Sequence, residues 1–482
     1  FQRAPKDGMP RYLLLLDGFN EVKPGEGLSV RAMLSNEISI LNTYQNVRII
    51  TTSRETQAAY YAAYFKNVQL IGLTDSDIRS YFERSGIDDV LIGIYMSHKQ
   101  LVKCLRIPLF LCMFTAGKAT EFIPETPGEI LYLFFHRDSC FYNIRKHAKE
   151  TRTNPFDDCQ TAFILDFILP YLGWQFEKND SFSMSGTKME TFVRDSVDCI
   201  QSLCLGLCEV PFRDFGYKAK VVLQAASSLY RDRDVVSEDI IGCIHGYLGI
   251  LYQYQENTGK FGERNRYAFI HHHFRDYFSA IWDIQLLSML QCMDAEKFFQ
   301  NGGSEENTYS FQEFLNSHYW RSHKTEFISQ ILMEHRNRPM LDVNTKNWRL
   351  PETAADEQKV LESAVAYCRV LCTCGFDVHY LLQNILSAIL HGRGELSGMD
   401  LSFLDFKHCS FFNVTCSKRG ESETLAADFT GSRLYRENFQ PENHQDSVID
   451  FVYHDMQCFT LDMDGCIKCW DVPSGRLEYE CH

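Results

Sequence analysis

Acidic side chains follow an apolar run near the start of the chain, in the segment RYLLLLDGFNEV at residues 11–22. Asp17 comes directly after four leucines, and Glu21 lies four residues later. Ligands of open α/β sheets bind beyond the carboxyl ends of the strands. A carboxylate at Asp17 can hold Mg²⁺ there, Glu21 can orient or deprotonate a water, and Gly18 lets the backbone approach a phosphate. The alternative is a strand followed by a polar turn without chemistry.

A guanidinium follows the second apolar run, in RIITTSRE at residues 48–55. Arg54 would lie at the same carboxyl edge as Asp17, where an arginine can read a γ-phosphate. In the alternative, Thr52 and Glu55 form a capping box at a helix start and Arg54 is a solvated helix residue.

Three consecutive histidines lie in YAFIHHHFRDYFSA at residues 267–280. They suggest a metal site, but consecutive residues of a helix point about 100° apart. We therefore expect that the three rings do not converge on one ion. The other alternative is that His271 is a core histidine with satisfied hydrogen bonds.

The 18 cysteines are mostly scattered singly through apolar segments. Their close pairs lack a second pair at a zinc-ribbon spacing. These pairs are Cys204/Cys208, Cys372/Cys374 and Cys466/Cys469. The pattern favours buried, reduced thiols in a cytosolic protein.

Short apolar runs at 12–16, 47–50 and 68–73 indicate parallel strands covered on both faces, at the end of a doubly wound α/β sheet. A helix is predicted to follow. Thr74 and Asp77 form its capping box, Ile78, Tyr81 and Phe82 share a face, and Gly86 ends it.

The pattern of residues 237–290 is helix, β-hairpin, long amphipathic helix, which outlines a winged-helix module. Farther on, Leu401, Phe406 and Phe411 recur every five residues. A second series with this period consists of Met399, Leu404 and Cys409. Period five is typical of a pentapeptide-repeat coil, although so few units can also arise by chance. The last segment, with Trp470-Asp471 at a strand end, resembles one blade of a WD-repeat propeller.

In this order, the motifs resemble the NACHT family of signal-transducing P-loop ATPases, the STAND class. LLLLDGFNEV resembles the Walker B motif of the family, with Asn20 where many members carry a second Asp. IITTSRE is similar to its sensor segment and places Arg54 at the phosphate-sensing position. LRIPLFLCMF resembles the segment that leans on the adenine, which maps to Pro108 and Leu109.

The histidine segment resembles the winged-helix end of NACHT proteins. The nucleotide-contacting histidine of the family maps to His271, and Asp276 stands where a Glu is usual. The resemblance implies that His271 touches the β-phosphate of ADP and locks a closed state. It also implies ATP/ADP and Mg²⁺ as cofactors, with Asp17 as the magnesium ligand and Asp17 and Glu21 as catalytic residues.

No GxxxxGK[ST] motif occurs in the chain, and TAGKAT at 115–120 lacks the leading glycine. We expect the phosphate loop to precede Phe1, so that the chain is an internal fragment. The predicted fold is multidomain. Its parts are the C-terminal part of a P-loop α/β NTPase core (1–74), a helical domain (75–150), a winged-helix/helical domain (151–290), a helical linker (291–395), pentapeptide-like repeats (396–435) and a truncated first WD-repeat blade (436–482).

The net charge of −15 argues against a dominant nucleic-acid or anionic-membrane surface. The apolar runs are too short to span a bilayer. The resemblance implies a cytoplasmic, nucleotide-controlled switch that oligomerises with itself when the C-terminal repeats sense a protein ligand, as in innate immunity, bacterial anti-phage defence or programmed cell death. The alternatives are a WD-repeat binding scaffold with an inactive ATPase remnant, and an ATPase acting on nucleic acid.

Overall fold

The structure is a computed structural model of the 482-residue chain. The structure describes residues 12–16, 38–41, 43–44, 47–52, 68, 70–116, 123–135, 154–205, 211–212, 217–257, 263–292, 314–334, 340–342, 347–349, 358–407, 409–411, 414–419, 424–435, 448–454, 457–462, 467–471 and 476–481. The fold is mixed and rich in helix, with several small sheets. The chain divides into two compact units, Phe1–Leu73 and Thr74–His482.

The first unit contains strands β1 (Tyr12–Leu16) and β2 (Val47–Thr51). They pair in parallel, as the sequence predicts. The expectation that both faces are covered is wrong for β1, because Leu13 is 59% exposed and Leu15 is 68% exposed. The third predicted strand is also wrong, because Val68 and residues 70–73 form no strand. Apolar composition alone does not make a strand, which also needs a neighbour to complete its hydrogen-bond ladder.

The second unit contains the remaining helices and strands. The helices are α1 (Asp75–Arg84), α2 (Asp89–Ser97), α3 (Lys99–Leu105), α4 (Pro108–Ala116), α5 (Pro127–Phe135), α6 (Asp158–Phe163), α7 (Leu169–Lys178), α8 (Gly186–Leu205), α9 (Ala219–Ser227), α10 (Ser237–Gly242), α11 (His272–Cys292), α12 (Ser322–Ser329), α13 (Gln358–Thr373) and α14 (His379–Arg393). The strands are β3 (Met184–Ser185), β4 (Pro211–Phe212), β5 (Tyr217–Lys218), β6 (Tyr230–Arg231), β7 (Asp234–Val235), β8 (Leu251–Asn257), β9 (Glu263–Phe269), β10 (Met340–Asp342), β11 (Asn347–Arg349), β12 (Ser417–Arg419), β13 (Thr424–Ala426), β14 (Val448–His454), β15 (Gln457–Asp462), β16 (Ile467–Asp471) and β17 (Arg476–Cys481).

The start and end of α1 are as the sequence predicts. The Thr74 side chain accepts a hydrogen bond from the backbone N–H of Asp77, and the carboxylate of Asp77 accepts one from the backbone N–H of Thr74. Ile78 and Phe82 are fully buried, and Gly86 follows with a φ of 74°. The capping box and the left-handed glycine therefore bound this helix.

A π-helical segment, Ile164–Ile168, joins α6 and α7 into one continuous helix. Pro170 lies just after this segment and has no N–H to donate to the carbonyl of Asp166, four residues earlier. The side chain of Gln285 on α11 donates to that carbonyl instead. A contact between helices thus compensates for the proline in the α7 backbone.

Helix α11 packs against α7 at Gly173. A Cβ at this position would lie 2.6 Å from the backbone N of Ser279 and 3.0 Å from the carbonyl oxygen of Arg275, so the helices are in backbone contact. Residues 274–288 of α11 are all buried. The prediction that this helix is amphipathic is therefore wrong, because α7, α12 and α13 all pack around it.

The hairpin predicted before α11 is present. Helix α10 continues as the π-helical segment Cys243–Leu248, and Gly249 ends it with a φ of 63°. Strands β8 and β9 pair antiparallel, and β3 adds to the edge of β9. The assignment of this region as a winged helix stays a prediction.

Both five-residue series are buried. The series of Leu401, Phe406 and Phe411 is at most 4% exposed, and the series of Met399, Leu404 and Cys409 is at most 6% exposed. Parallel bridges join Asp400 with Asp428 and Asp405 with Arg433. The backbone here winds as a coil, and its identity as a pentapeptide repeat stays a prediction.

The last four strands form one antiparallel meander in the order β14-β15-β16-β17. The indole N–H of Trp470 donates to the hydroxyl of Thr460 on the neighbouring strand at 2.6 Å. The assignment of this sheet as a propeller blade stays a prediction.

Free thiols are present at 13 described cysteines. Five of these residues are buried: Cys204, Cys243, Cys368, Cys409 and Cys469. The expectation of burial is wrong for Cys112, Cys159 and Cys374, which are exposed.

Candidate functional site

The strand ends that precede the predicted phosphate-binding residues are adjacent. Leu16 pairs with Thr51, and the backbone N–H of Thr52 donates to the carbonyl of Leu16 at 3.0 Å. Asp17, Glu21 and Arg54 themselves lie outside the described residues. Their roles in catalysis and in binding magnesium and phosphate stay predictions.

Pro108, the predicted adenine contact, is the first residue of α4. A proline suits this position because the N–H that it lacks has no partner within the helix. Pro108 is exposed, Leu109 is half-buried and Phe110 is 1% exposed. Helix α4 is thus anchored by Phe110 and leaves Pro108 accessible.

His271 lies in the turn between β9 and α11. Its Nδ1 accepts the backbone N–H of His273 at 3.2 Å. A neutral imidazole that accepts through Nδ1 carries its proton on Nε2. His271 therefore presents an N–H donor beside the positive end of a 21-residue helix. Such a donor is suited to an anionic oxygen, for example one of a phosphate.

Four imidazole rings form what we call the histidine cluster: His271, His272, His273 and His323. The first three ring centroids lie 4.2–5.0 Å apart. One nitrogen from each of these three rings lies within 4.8 Å of the others. His323 of α12 approaches edge-on, 5.4 Å from the ring of His273.

The expectation that the three consecutive rings cannot converge is therefore wrong. It assumed that all three residues belong to one helix, whereas α11 begins at His272. His271 precedes the helix, so the 100° rotation between consecutive helical residues does not apply to it. His272 and His273 both belong to α11, and their ring centroids are nevertheless 4.2 Å apart, because the side-chain torsions also decide where the rings lie.

The ring of Phe110 stacks on the ring of His273, with centroids 5.6 Å apart and an interplanar angle of 30°. Phe327 of α12 contacts the ring of His273 from another side, at 6.1 Å. The structure therefore brings together two segments that the sequence singled out separately, the Pro108 segment and the His271 segment.

Asp276, which stands where the family usually has a Glu, is 2% exposed. Arg275 donates to its carboxylate at 2.6 Å and 2.8 Å. Burial raises the pKa of Asp276, and Arg275 partly opposes this effect. The carboxyl thus serves as a partner for a buried guanidinium within α11.

A second buried group of charges lies between α7, α11 and α12. Lys324 is fully buried, and its ammonium lies 2.8 Å from the carboxylate of Glu177 and 2.7 Å from that of Asp283. Burial would lower the pKa of Lys324, but the two carboxylates raise it instead. Ser279 also donates to Glu177. These contacts tie three helices together.

Sequence reasoning missed His323, Lys324 and Glu177. Lys324 lies in RSHKTEFIS, which has the composition of a solvated helix face, and Glu177 is 147 residues away. No local pattern signals such a pair. The triple histidine was a visible signal, but its convergence depends on the side-chain torsions of the three histidines, which sequence does not give.

Comparison with known proteins yields no assignment: no protein-family model matches the chain, and no curated protein matches it. Among the described residues, the helices are all too short or too polar to cross a membrane.

Proposed function

We propose that this chain works within a NACHT-type signal-transducing ATPase, as part of a nucleotide-controlled switch that oligomerises when it opens. The observation that supports the proposal is the stacking of Phe110 on His273, because Phe110 is two residues from Pro108 and His273 is two residues from His271. Two motifs that resemble nucleotide contacts of one family thus adjoin in space, although more than 150 residues separate them in sequence.

In this proposal His271 donates its Nε2 proton to a phosphate oxygen of ADP, and Pro108 packs on the adenine. Asp17 binds Mg²⁺, Glu21 orients the attacking water, and Arg54 contacts the γ-phosphate. Nucleotide binding shifts the population between closed and open states only by its difference in affinity for the two. A change from 1:99 to 99:1 needs about 5.5 kcal/mol of such difference, so several of these contacts must act together.

The test uses the gene product that carries this chain, with release of a fluorescent ADP analogue and oligomeric state as readouts. His271→Ala is expected to release ADP about tenfold faster or more, since it removes a hydrogen bond to a charged group worth about 1.5–3 kcal/mol. His379→Ala, on α14, is the matched control and should release ADP as wild type does. Wild-type ADP release and oligomerisation in His271→Ala would refute the switch.

The catalytic assignment has its own test. Asp17→Ala and Glu21→Gln are each expected to abolish measurable ATP hydrolysis in the same gene product, because the first removes the metal ligand and the second the base. Unchanged turnover in both variants would refute the assignment. The outcome does not depend on His271, so the two parts of the proposal can fail separately.

A protein-binding scaffold is the second candidate, and the β14–β17 meander favours it. Val452 of β14 is 61% exposed, which leaves apolar surface on this sheet for a partner. If the gene product binds neither ATP nor ADP, but binding of a protein ligand is lost on deletion of the meander, the scaffold replaces the switch.

A further inference from the structure

We infer that His271, His272 and His273 form a binding site for a divalent transition metal ion of the zinc type. The supporting geometry is the convergence of one nitrogen from each ring within 4.8 Å. This site is distinct in chemistry from the predicted magnesium site, which uses carboxylate oxygens. It does not depend on the nucleotide proposal, although it shares His271 with it.

The donor set selects the class of ion. Imidazole nitrogen suits Zn²⁺, Ni²⁺ and Cu²⁺, whereas Mg²⁺ and Ca²⁺ require oxygen ligands. Three protein ligands with a fourth position left to water is the usual arrangement of an open zinc site. The three rings are half-buried, so an ion can reach them from solvent.

The spacing needs only a small contraction. Two nitrogens bound to zinc at 2.0–2.1 Å in a tetrahedron lie about 3.3 Å apart. The three nitrogens lie within 4.8 Å of one another, and rotation about the side-chain torsions of the three histidines can close the remaining gap.

A second layer of contacts holds the rings. Phe110 stacks on His273, and His323 lies edge-on against it. Nδ1 of His323 is 3.8 Å from the carboxylate of Glu326 on the same helix. Metal sites use such outer contacts to fix the orientation of their ligands.

The experiment measures Zn²⁺ binding to the protein without nucleotide, by competition with a chromophoric chelator, after any purification tag has been removed. Wild type is expected to bind one zinc through this site. His272→Ala and His273→Ala should each weaken binding about tenfold or more, since each removes a ligand. His379→Ala, a histidine outside the cluster, is the matched control. Unchanged affinity in the double variant His272→Ala/His273→Ala would overturn the site.

X-ray absorption at the zinc edge of the wild-type protein gives a readout that needs no variant, in case a substitution prevents folding. Three imidazole ligands at about 2.0–2.1 Å are expected. A shell of sulfur at about 2.3 Å would assign the zinc to cysteines and overturn the proposal. An oxygen-only shell, or no zinc bound, would mean that the rings pack without a metal role.

The failure of this proposal can be told from that of the nucleotide switch. If the double variant His272→Ala/His273→Ala keeps the zinc affinity of wild type while His271→Ala releases ADP faster, the switch stands and the metal site fails. If zinc binds as expected while His271→Ala leaves ADP release unchanged, the metal site stands and the switch fails.

Discussion

The carboxyls of Glu177 and Asp283 both contact the ammonium of the buried Lys324, and their pKa values shift in opposite directions. Burial would raise the pKa of Glu177, but Lys324 and His318 hold it well below its usual range. Burial raises the pKa of Asp283 to about 6, although Lys324 opposes this effect. The single lysine therefore keeps Glu177 ionised, and Asp283 is the acid of this group that takes up a proton first.

The titration of Asp283 is expected to change the free energy of unfolding between about pH 4 and pH 6. The carboxyl of Asp283 has a raised pKa when folded and titrates near about 3.9 when unfolded. The folded state binds this proton more tightly, so its contribution to stability is full below about pH 4 and is lost as the pH rises through 6. The side chain of the Asp283→Asn variant cannot ionise. As the pH rises from about 4 to 6, the free energy of unfolding of this variant should therefore increase relative to that of wild type, by up to about 3 kcal/mol.

Urea unfolding of both proteins at a series of pH values measures this difference. The pH dependence from Glu177 has the opposite sign, since its stabilisation is present above its unfolded pKa and lost as the pH falls. It is common to both proteins and cancels in the difference. Gly242→Ala in α10, which changes no ionisable group, is the control, and its difference from wild type should not vary with pH. A constant difference between Asp283→Asn and wild type would contradict the buried, titrating role of Asp283.

At the scale of elements, Gln285 of α11 supplies the hydrogen bond to the Asp166 carbonyl that Pro170 of α7 cannot donate. Gln285→Met removes the donor to the Asp166 carbonyl and should destabilise the protein by about 1–3 kcal/mol. Pro170→Ala restores a backbone N–H that can bond to that carbonyl within the helix. The same glutamine substitution should therefore cost roughly 1 kcal/mol less in the Pro170→Ala background. Equal losses in both backgrounds, measured by urea unfolding, would show that the glutamine does not compensate for the proline.

The second prediction for the helices concerns Gly173, where the backbones of α7 and α11 approach each other closely. Gly173→Ala places a Cβ 2.6 Å from the backbone N of Ser279, and backbone atoms cannot rotate away as a side chain does. We expect a loss of about 1–3 kcal/mol in the free energy of unfolding. Gly242→Ala in α10 is the matched control, because its Cβ would meet nothing within 4 Å. That change should be neutral or stabilise by up to about 1 kcal/mol. A Gly173→Ala protein as stable as Gly242→Ala would contradict the backbone contact.

These two contacts show what sequence can and cannot predict in this fold. The capping box of α1 and the hairpin before α11 were predictable because residues within a few positions of one another decide them. The burial of α11 was not, because it depends on α7, α12 and α13 packing around it. The candidate site divides in the same way. His271 and Pro108 were visible in motifs, whereas the stacking of Phe110 on His273 and the ion pairs of Lys324 depend on contacts across long sequence separations.

At the scale of the whole molecule, the net charge of −15 argues against duplex DNA as a partner. If the region of α10 and the β8–β9 hairpin worked as a winged-helix reader of DNA, α10 would face the phosphates with Glu238 and Asp239 in its first turn. The two carboxylates would repel the phosphates. Binding to DNA is driven by basic side chains that replace the counterions of the phosphates, and neither residue can do this. We therefore expect no retention of duplex DNA by the protein at about 50 mM salt, and no change at about 200 mM, in filter-binding measurements. Retention that falls steeply with salt and strengthens in Glu238→Ala would overturn this prediction, and it would favour an ATPase that acts on nucleic acid over the switch.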